Sequence, residues 1–316
     1  MNILIIRPGA LGDTLMLLPS LVNISGQLTI TLVARQPGLY FIQDFVNRSM
    51  DLDGAGWHRL FLESPAKEGL PVSQTDFVVA FLNDEGGAIR RNLNAYFPNT
   101  PIHFFPSFPA KGEKIHVARY ISNCLKTTGL PIDPRAAFEN AVMHPLMSME
   151  HPLQSCNTAV VHPGSGGSKK NQPPDFWLKV LRRFVREPAF QRVDTSLLLG
   201  PAEAPLYSFF RKNLDSTKWE ICFCPDNETL TGLLGKACLY LGHDSGITHL
   251  AAMLGIPTVA LFIESNSVQW HPLGPAVQVV QKKGPGIGVI KEVLKAAIDL
   301  SHAAGMDGPH KILWVQ

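Results

Sequence analysis

The chain has 316 residues, of which 45% are hydrophobic, and a formal net charge of +2 at pH 7. Its length favours two domains over one and allows a large buried core. A charge this close to zero, without a long basic block, argues against nucleic acid as a partner.

Neither an export signal nor a membrane span is expected. Arg7, Pro8 and Asp13 interrupt the apolar N-terminus before a signal-peptide core or a cleavage site is complete. No window reaches about 18 uncharged apolar residues. The five cysteines contain no C-x-x-C pair, which fits reduced thiols. These features predict a cytoplasmic protein and leave contact with a membrane surface open.

Short apolar runs alternate with helix-like segments along the chain. The runs are NILIIR, TITLVA and DFVVAFLN, followed by TAVVHPG, TSLLLG, WEICFC, LYLGHD and TVALFI. Continuous apolar character is typical of parallel strands that are covered on both faces. The pattern predicts an α/β protein of two doubly wound domains. Prolines and polar residues interrupt it in front of Thr158, which places the domain boundary near residue 152.

The first loop with possible chemistry is RPGALGD, directly after the first strand. Ligands of open α/β sheets bind outside the carboxyl ends of the strands. Gly9 and Gly12 permit a tight turn, and Asp13 falls at the predicted start of a helix through TLMLLPSL. A carboxylate there is either a helix N-cap or a reactive group. The spacing lacks the G-x-G-x-x-G fingerprint, which argues against a dehydrogenase.

The second loop is rich in glycine and follows the strand TAVVH. Ser165, Gly166 and Gly167 precede two lysines, Lys169 and Lys170. Backbone amides, a hydroxyl and ammonium groups can surround a phosphate without a metal. The alternative is a flexible surface loop with solvated lysines.

The third loop, LLLGPAEAPLY, carries Glu203 at the start of a predicted helix. This carboxylate could accept hydrogen bonds from a ribose or sugar hydroxyl. Stabilisation of the helix N-terminus explains it equally well.

The fourth loop, LYLGHDSGITHLAAMLGIP, joins a strand to a helix at Asp244, Ser245 and Gly246. Such a helix start presents free amides and a positive end to an anion. His249 follows one turn later, either beside this anion site or as a structural residue.

Two further segments carry weaker signals. The D-x-D sequence at Asp51 and Asp53 matches a metal motif of sugar transferases, but no strand is predicted before it, so no metal site is expected. Trp270 in WHPLGP could stack on a base, although packing is the more common role of Trp270 and Trp177.

In this order and spacing, the four loops resemble glycosyltransferase family 9, which includes the ADP-heptose:lipopolysaccharide heptosyltransferases. The resemblance covers nearly the whole chain and rests on GALGD, HPGSGG with its lysine, and DSGITHLAAMLGIPTVALF followed by WHPLGP. It implies the GT-B architecture, two Rossmann-like domains facing each other across a cleft. Residues 1–152 would then hold the acceptor and residues 153–316 the nucleotide sugar. Whether the last helix packs back on the N-terminal domain is left open.

The resemblance also implies roles for individual residues. Asp13 matches the catalytic base, Lys170 the phosphate-binding lysine and Glu203 the residue that contacts the nucleoside. Four residues match the D-[ST]-G-x-x-H segment around the donor phosphates and sugar: Asp244, Ser245, Gly246 and His249.

The implied reaction is an inverting transfer without a metal or a cofactor. Its expected donor is a nucleotide sugar, first of all ADP-heptose, and its expected acceptor is a lipopolysaccharide core or a related glycan. Contact with the cytoplasmic face of the inner membrane would be peripheral.

Some positions depart from the family pattern. Gln172 stands where a tryptophan is common after the lysine, and His243 stands where a smaller or amide residue is usual. The first half carries slightly more acidic than basic residues, so a phosphorylated acceptor is not assured. The acceptor-side candidates are Gly12, Arg59, Arg90, Arg91 and Arg119. The donor sugar stays open.

Two other readings compete with a transferase. A nucleotide-sugar epimerase of the same architecture would turn over the donor without an acceptor. A catalytically silent binding protein would keep only the nucleotide-sugar site, which the presence of Asp13 argues against.

Overall fold

The structure, a computed structural model, describes residues 1–24, 28–72, 75–148, 156–281 and 286–304. It divides into two compact units, Met1–Asn140 and Ala141–Gln316. The division falls inside a helix, whereas the boundary predicted near residue 152 lies outside the described residues.

The first unit contains a five-stranded parallel sheet in the order β3-β2-β1-β4-β5. Its strands are β1 Asn2–Ile6, β2 Thr29–Ala34, β3 Arg48–Asp51, β4 Phe77–Phe81 and β5 Ile102–Phe105. Its helices are α1 Leu11–Leu15, α2 Leu18–Leu21, α3 Gly38–Ile42, α4 Ala88–Tyr96 and α5 Val117–Thr127, followed by α6 Pro134–Met143, which contains the division.

The second unit contains a six-stranded parallel sheet in the order β11-β10-β9-β6-β7-β8. Its strands are β6 Thr158–His162, β7 Asp194–Leu199, β8 Glu220–Phe223, β9 Ala237–His243, β10 Thr258–Phe262 and β11 Val277–Gln281. Its helices are α7 Pro174–Phe184, α8 Tyr207–Asn213, α9 Asn227–Gly235, α10 Gly246–Met253, α11 Ser267–Trp270 and α12 Ile287–Ala303.

Each sheet reverses its strand order at one point. In the first unit this point lies between β1 and β4, and in the second it lies between β6 and β9. Open α/β sheets bind ligands outside the carboxyl ends of the strands at such a reversal. The two predicted doubly wound domains are therefore confirmed, and each topology indicates one edge at which a site can form.

Continuous apolar strands supply both cores. All five residues of β4 and all five of β10 are buried. Burying a Val, Leu, Ile or Phe side chain stabilises the fold by about 1.5–3 kcal/mol. Helix α12 buries Val289, Val293 and Ala297 in the core of the second unit. Among the described residues, no helix is long and apolar enough to cross a membrane.

Within the described part of the chain, eight strands follow the predicted runs and three were missed. The missed strands, β3, β5 and β11, all lie at sheet edges. Their residues are mostly half-buried, so they lack the continuous apolar run that marks a central strand. The expectation that no strand precedes the D-x-D sequence is wrong, because β3 ends at Asp51.

Candidate active site

Three of the four predicted loops meet at the strand-order reversal of the second unit. β6 and β9 are neighbours, with His162 paired to Gly242 near their carboxyl ends. The glycine-rich loop leaves β6 and the D-S-G segment leaves β9. Because parallel strands end at the same edge, the two loops start side by side.

The glycine-rich loop is braced across its base. Ser165 is buried, and its hydroxyl donates to Asn171 Oδ1 at 2.7 Å. The Gly167 amide donates back to Ser165 Oγ at 3.4 Å. Gly166 and Lys169 are exposed, whereas Lys170 is half-buried in a 3-10 turn. Ser165 therefore fixes the shape of the loop. Of the two lysines, Lys170 is the one that the loop directs toward the end of β9.

Asp244 joins this lysine to the helix after β9. Lys170 Nζ donates to Asp244 Oδ2 at 2.7 Å, and His249 Nε2 lies 3.5 Å from the other carboxylate oxygen, Oδ1. The Asp244 side chain is only 4% exposed and that of Lys170 is 42% exposed. Burial by itself raises the pKa of Asp244, but its contacts with His249 and Lys170 outweigh burial and hold that pKa below its usual range. Asp244 is thus a buried, ionised carboxylate.

Helix α10 begins where it was predicted, at Gly246, the last residue of the D-S-G segment. Ser245 is its N-cap, and Ser245 Oγ accepts a hydrogen bond from the Thr248 amide at 3.3 Å. The His249 amide bonds to the Ser245 carbonyl at 3.2 Å. Of the first-turn amides, those of Gly246 and Ile247 have no partner among the residues that the structure describes, and both residues are half-buried. The helix start can therefore receive an anion next to Asp244 and Lys170.

Glu203 lies in the first turn of a 3-10 helix, Pro201–Leu206, that leads into α8. Its buried carboxylate oxygen Oε2 lies 3.3 Å from His162 Nε2 and accepts the Gly200 amide at 3.0 Å. Burial by itself raises the pKa of Glu203. The contacts with His162 and the Gly200 amide lower it by more than burial raises it, so the pKa lies below its usual value. A Cβ on Gly164 would fall 1.9 Å from Glu203 Oε1, so only glycine allows this carboxylate to pack against the glycine-rich loop.

Two histidines connect these loops, and neither was predicted as a site residue. His162 contacts Glu203 through one ring nitrogen, and its Nδ1 lies 3.5 Å from Ser245 Oγ. His243 Nε2 accepts hydrogen bonds from the Gln172 amide at 3.0 Å and from Trp177 Nε1 at 2.9 Å. Because both groups donate to Nε2, the proton of the neutral imidazole lies on Nδ1.

His243 is completely buried, and burial lowers its pKa to about 3. A hydrogen bond with the Leu261 backbone acts in the opposite direction but does not outweigh burial. The neutral ring holds the end of the glycine-rich loop on β9 through Gln172. It also binds Trp177, which is 1% exposed and packs in the core. The two positions that depart from the family pattern, Gln172 and His243, are therefore bonded to each other.

Asp13 lies in the first unit at the carboxyl end of β1. It is the third residue of α1, so the alternative that Asp13 is the N-cap is wrong: Ala10 is the N-cap, and Asp13 Oδ2 accepts its amide at 2.9 Å. A Cβ on Gly9 would fall 2.5 Å from Asp13 Cβ, which explains that glycine. The side chain is half-buried. The predicted helix through TLMLLPSL is two short helices, α1 and α2.

A buried arginine supports the Asp13 loop. Arg7 is 1% exposed, and its Nε donates to the Asp13 carbonyl while its Nη1 donates to the Ser107 carbonyl, each at 2.9 Å. The guanidinium also lies over the rings of Phe81 and Phe108, 5.3 and 5.6 Å from their centroids. Burial lowers the pKa of Arg7 to about 10, and the charge of Asp13 acts in the opposite direction. Sequence reasoning missed this support because it depends on Ser107, a hundred residues away.

Three of the acceptor-side arginines contact other residues of the first unit. Arg59 Nη1 donates to the Gly69 carbonyl at 2.9 Å and Arg91 Nη2 to the Glu63 carbonyl at 3.0 Å. Arg90 lies 4.6 Å from the centroid of the Phe104 ring. Arg119 is exposed and Gly12 is buried. Their role toward an acceptor remains a prediction.

The D-x-D segment is tied to its surroundings without a metal-ligand cluster. Asp51 Oδ1 accepts the Asp53 amide at 3.0 Å, and Asp53 pairs with Arg35 at 3.1 Å on the surface. No group of three or more His, Cys, Asp and Glu side chains suited to a metal ion occurs among the described residues. Trp270 is half-buried at the end of α11, with its ring centroid 6.1 Å from that of His249. Trp177 has the packing role that was expected.

Several known proteins share the fold of this chain. The glycosyl transferase family 9 structure from Veillonella parvula has 16% identity and a TM-score of 0.69, covering 96% of this chain and 97% of that one. The E. coli ADP-heptose lps heptosyltransferase II has 15% identity and a TM-score of 0.67, covering 96% and 100%. The E. coli heptosyltransferase WaaC with ADP has 14% identity and a TM-score of 0.65, covering 95% and 100%.

At these identities the structures show the fold, which is the GT-B class. No curated protein matches the chain in sequence. The family described as glycosyltransferase family 9 (heptosyltransferase) matches residues 106–287, more than half of the chain and the whole region from β6 to β11. The protein is therefore a member of glycosyltransferase family 9, a family of glycosyltransferase enzymes.

Proposed function

We propose that the protein is an inverting glycosyltransferase that moves a sugar from a nucleoside diphosphate onto a glycan acceptor. One observation carries the proposal: Lys170, Asp244 and the start of α10 meet at the strand-order reversal of the second unit. The ammonium group and the helix amides suit the diphosphate of a nucleotide sugar, and the buried carboxylate suits the hydroxyl groups of its sugar.

The donor diphosphate binds at the start of α10. The Gly246 and Ile247 amides and the Lys170 ammonium neutralise its oxygens, so no metal and no cofactor is needed. Asp244 and His249 face the donor sugar, and Glu203 accepts a hydroxyl of the nucleoside. Gly166 and Gly167 let the loop approach the phosphates without side chains in the way.

The chemical step is a single displacement at the anomeric carbon. The Asp13 carboxylate takes the proton of the acceptor hydroxyl, whose oxygen forms the new bond to that carbon. The bond from the carbon to the phosphate oxygen breaks, and the nucleoside diphosphate leaves with the electron pair. Negative charge grows on this leaving group, so Lys170 and the α10 amides stabilise the transition state more than the ground state.

ADP-heptose and a lipopolysaccharide core are the first donor and acceptor to test. This choice is supported by family membership and by the shared fold of E. coli proteins described as an ADP-heptose lps heptosyltransferase and as a heptosyltransferase with ADP. A protein with such an acceptor would work in the cytoplasm, with peripheral contact to the inner membrane.

A hydrolysing epimerase is the second candidate. A Listeria monocytogenes structure described as a putative UDP-N-acetylglucosamine 2-epimerase shares the fold, with 12% identity and a TM-score of 0.52. An epimerase consumes its donor without an acceptor, whereas a transferase needs one and a silent binder consumes nothing.

The test is incubation of the purified protein with a panel of nucleotide sugars, with and without lipopolysaccharide core oligosaccharides. Mass spectrometry then follows the loss of donor and the gain in acceptor mass, and NMR of the product reads its anomeric configuration. Acceptor-dependent transfer with inversion supports the proposal. Donor turnover without acceptor favours the epimerase, and retention of configuration contradicts the single displacement.

A further inference from the structure

We propose that the Asp244 carboxylate weakens the binding of a free nucleoside diphosphate relative to its sugar ester, and so favours release of the product over release of the donor. The proposal rests on the proposed function, because it assumes that Lys170 and α10 hold the diphosphate. The motif places Asp244 in the site, and the proposal adds that Asp244 discriminates between the nucleoside diphosphate product and the nucleotide-sugar donor.

The first step is the position of the charge. Asp244 Oδ2 contacts Lys170 Nζ at 2.7 Å, and its side chain is 4% exposed. An oxygen of the diphosphate bound to the same Nζ at about 2.8 Å would lie within about 5.5 Å of Oδ2. A buried carboxylate therefore lies close to any phosphate that Lys170 binds.

The second step is the competition for Lys170. An ammonium group has three donors, so it can serve the carboxylate and a phosphate together. Its single positive charge is nevertheless shared between them. In the absence of a diphosphate, Lys170 forms an ion pair with Asp244. An incoming phosphate therefore meets an ammonium group whose charge the carboxylate already neutralises.

The third step is the difference between donor and product. The terminal phosphate of a free nucleoside diphosphate is a monoester-like group with a charge near −2 at pH 7, whereas its sugar ester carries −1 there. Asp244 therefore repels the product about twice as strongly as the donor. The donor sugar also offers hydroxyl groups that can donate to the carboxylate, and the product lacks them.

The size of the effect follows from Coulomb's law. One unit of like charge at about 5.5 Å costs roughly fourfold in affinity at the dielectric constant of water, and more at the lower effective values near a protein surface. We expect about fourfold for the ester, which carries one charge on this phosphate, and somewhat more than tenfold for the terminal phosphate of a free diphosphate, which carries nearly two.

The experiment compares Asp244→Asn with the wild type by calorimetric titration. The probes are ADP and its terminal-phosphate methyl ester, with UDP and its methyl ester in parallel because the base is not known. The variant should bind the free diphosphate somewhat more than tenfold more tightly and the methyl ester about fourfold more tightly. Asp175→Asn is the matched control, since it removes the same charge from an exposed position in the first turn of α7 and should change neither affinity.

The outcomes separate the two proposals. Wild-type protein that binds neither diphosphate contradicts the donor site, and this inference falls with it. Wild-type binding with unchanged or weaker binding by a folded Asp244→Asn overturns the inference alone. Equal tightening of diphosphate and ester also overturns it, because charge would then not discriminate. Circular dichroism checks the fold, and Asp244→Ser removes the same charge if the asparagine variant does not fold.

Discussion

Lys170→Ala tests the donor site most directly. Lys170 is half-buried, is directed toward the start of α10, and donates to Asp244 at 2.7 Å. A charge-assisted hydrogen bond contributes about 1.5–3 kcal/mol. Because the Lys170 side chain is 42% exposed, we take the lower end of this range, which is about tenfold in affinity.

A second effect adds to this loss. Without the lysine, the buried Asp244 carboxylate loses an ammonium partner, keeps its contact with His249 and repels the diphosphate more strongly. We therefore expect nucleoside diphosphate binding to weaken by about 10- to 50-fold while nucleoside binding stays unchanged. The rate constant for transfer should fall as well, because the leaving group is more anionic in the transition state than in the donor.

The assay is calorimetric titration of ADP and adenosine, repeated with UDP and uridine. Lys169→Ala is the matched control, because it removes the same charge from an exposed neighbour in the same 3-10 turn. It should leave all four affinities within about twofold of the wild type. Equal affinities of wild type and Lys170→Ala for every diphosphate would remove Lys170 from the site and leave Lys169 or the loop amides to bind the phosphates.

Four further predictions follow from the structure. Asp13→Asn should slow transfer by about 10² to 10⁴-fold and leave donor affinity in calorimetry unchanged, because the amide cannot take the proton; wild-type turnover would reduce Asp13 to its contact with the Ala10 amide. Transfer should survive excess EDTA, and activity restored only by Mg²⁺ or Mn²⁺ would contradict a metal-free mechanism. Gly164→Ala should displace Glu203, since the new Cβ would lie 1.9 Å from Oε1, and unchanged adenosine and uridine affinities would separate Glu203 from the nucleoside. The pKa of His243 is about 3 in the folded protein, so between pH 6.5 and 4 only the unfolded chain binds a proton at this imidazole. The free energy of unfolding of the wild type should therefore fall by up to about 1.4 kcal/mol per pH unit as the pH drops through this range. His243→Gln removes this contribution, so its stability, measured by thermal melting, should fall less steeply. Equal slopes in both proteins would contradict a neutral buried imidazole.

The sequence by itself determined the architecture of the two units. Central parallel strands are covered on both faces, and this burial requires a local apolar run such as FVVAF or TVALF that can be read without a structure. Edge strands have one neighbour and half-exposed side chains, so RSMD and VQVVQ carry no such mark. Their pairing depends on the sheet beside them.

In the candidate site too, some features follow from local sequence and others from tertiary pairing. Short local patterns predicted the loops that carry Asp13, Glu203 and the two lysines Lys169 and Lys170, because a glycine-rich turn and a helix start after a strand are encoded by adjacent residues. The family resemblance then singled out Lys170. The start of α10 at Gly246 was also predicted, since its N-cap Ser245 is next to it in sequence. Such features depend on a few neighbouring residues and need no long-range contact.

Only the tertiary structure decided how these residues are connected. The pairing of β6 with β7 on one side and β9 on the other brings His162 between Glu203 and Ser245. The pairing of β6 with β9 also brings the amide of Gln172 to His243 across 71 positions of sequence. The same pairing brings Lys170 to Asp244, which turns two local motifs into one charged site. Strand order is set by the packing of whole layers, so no local pattern reveals which loops become neighbours.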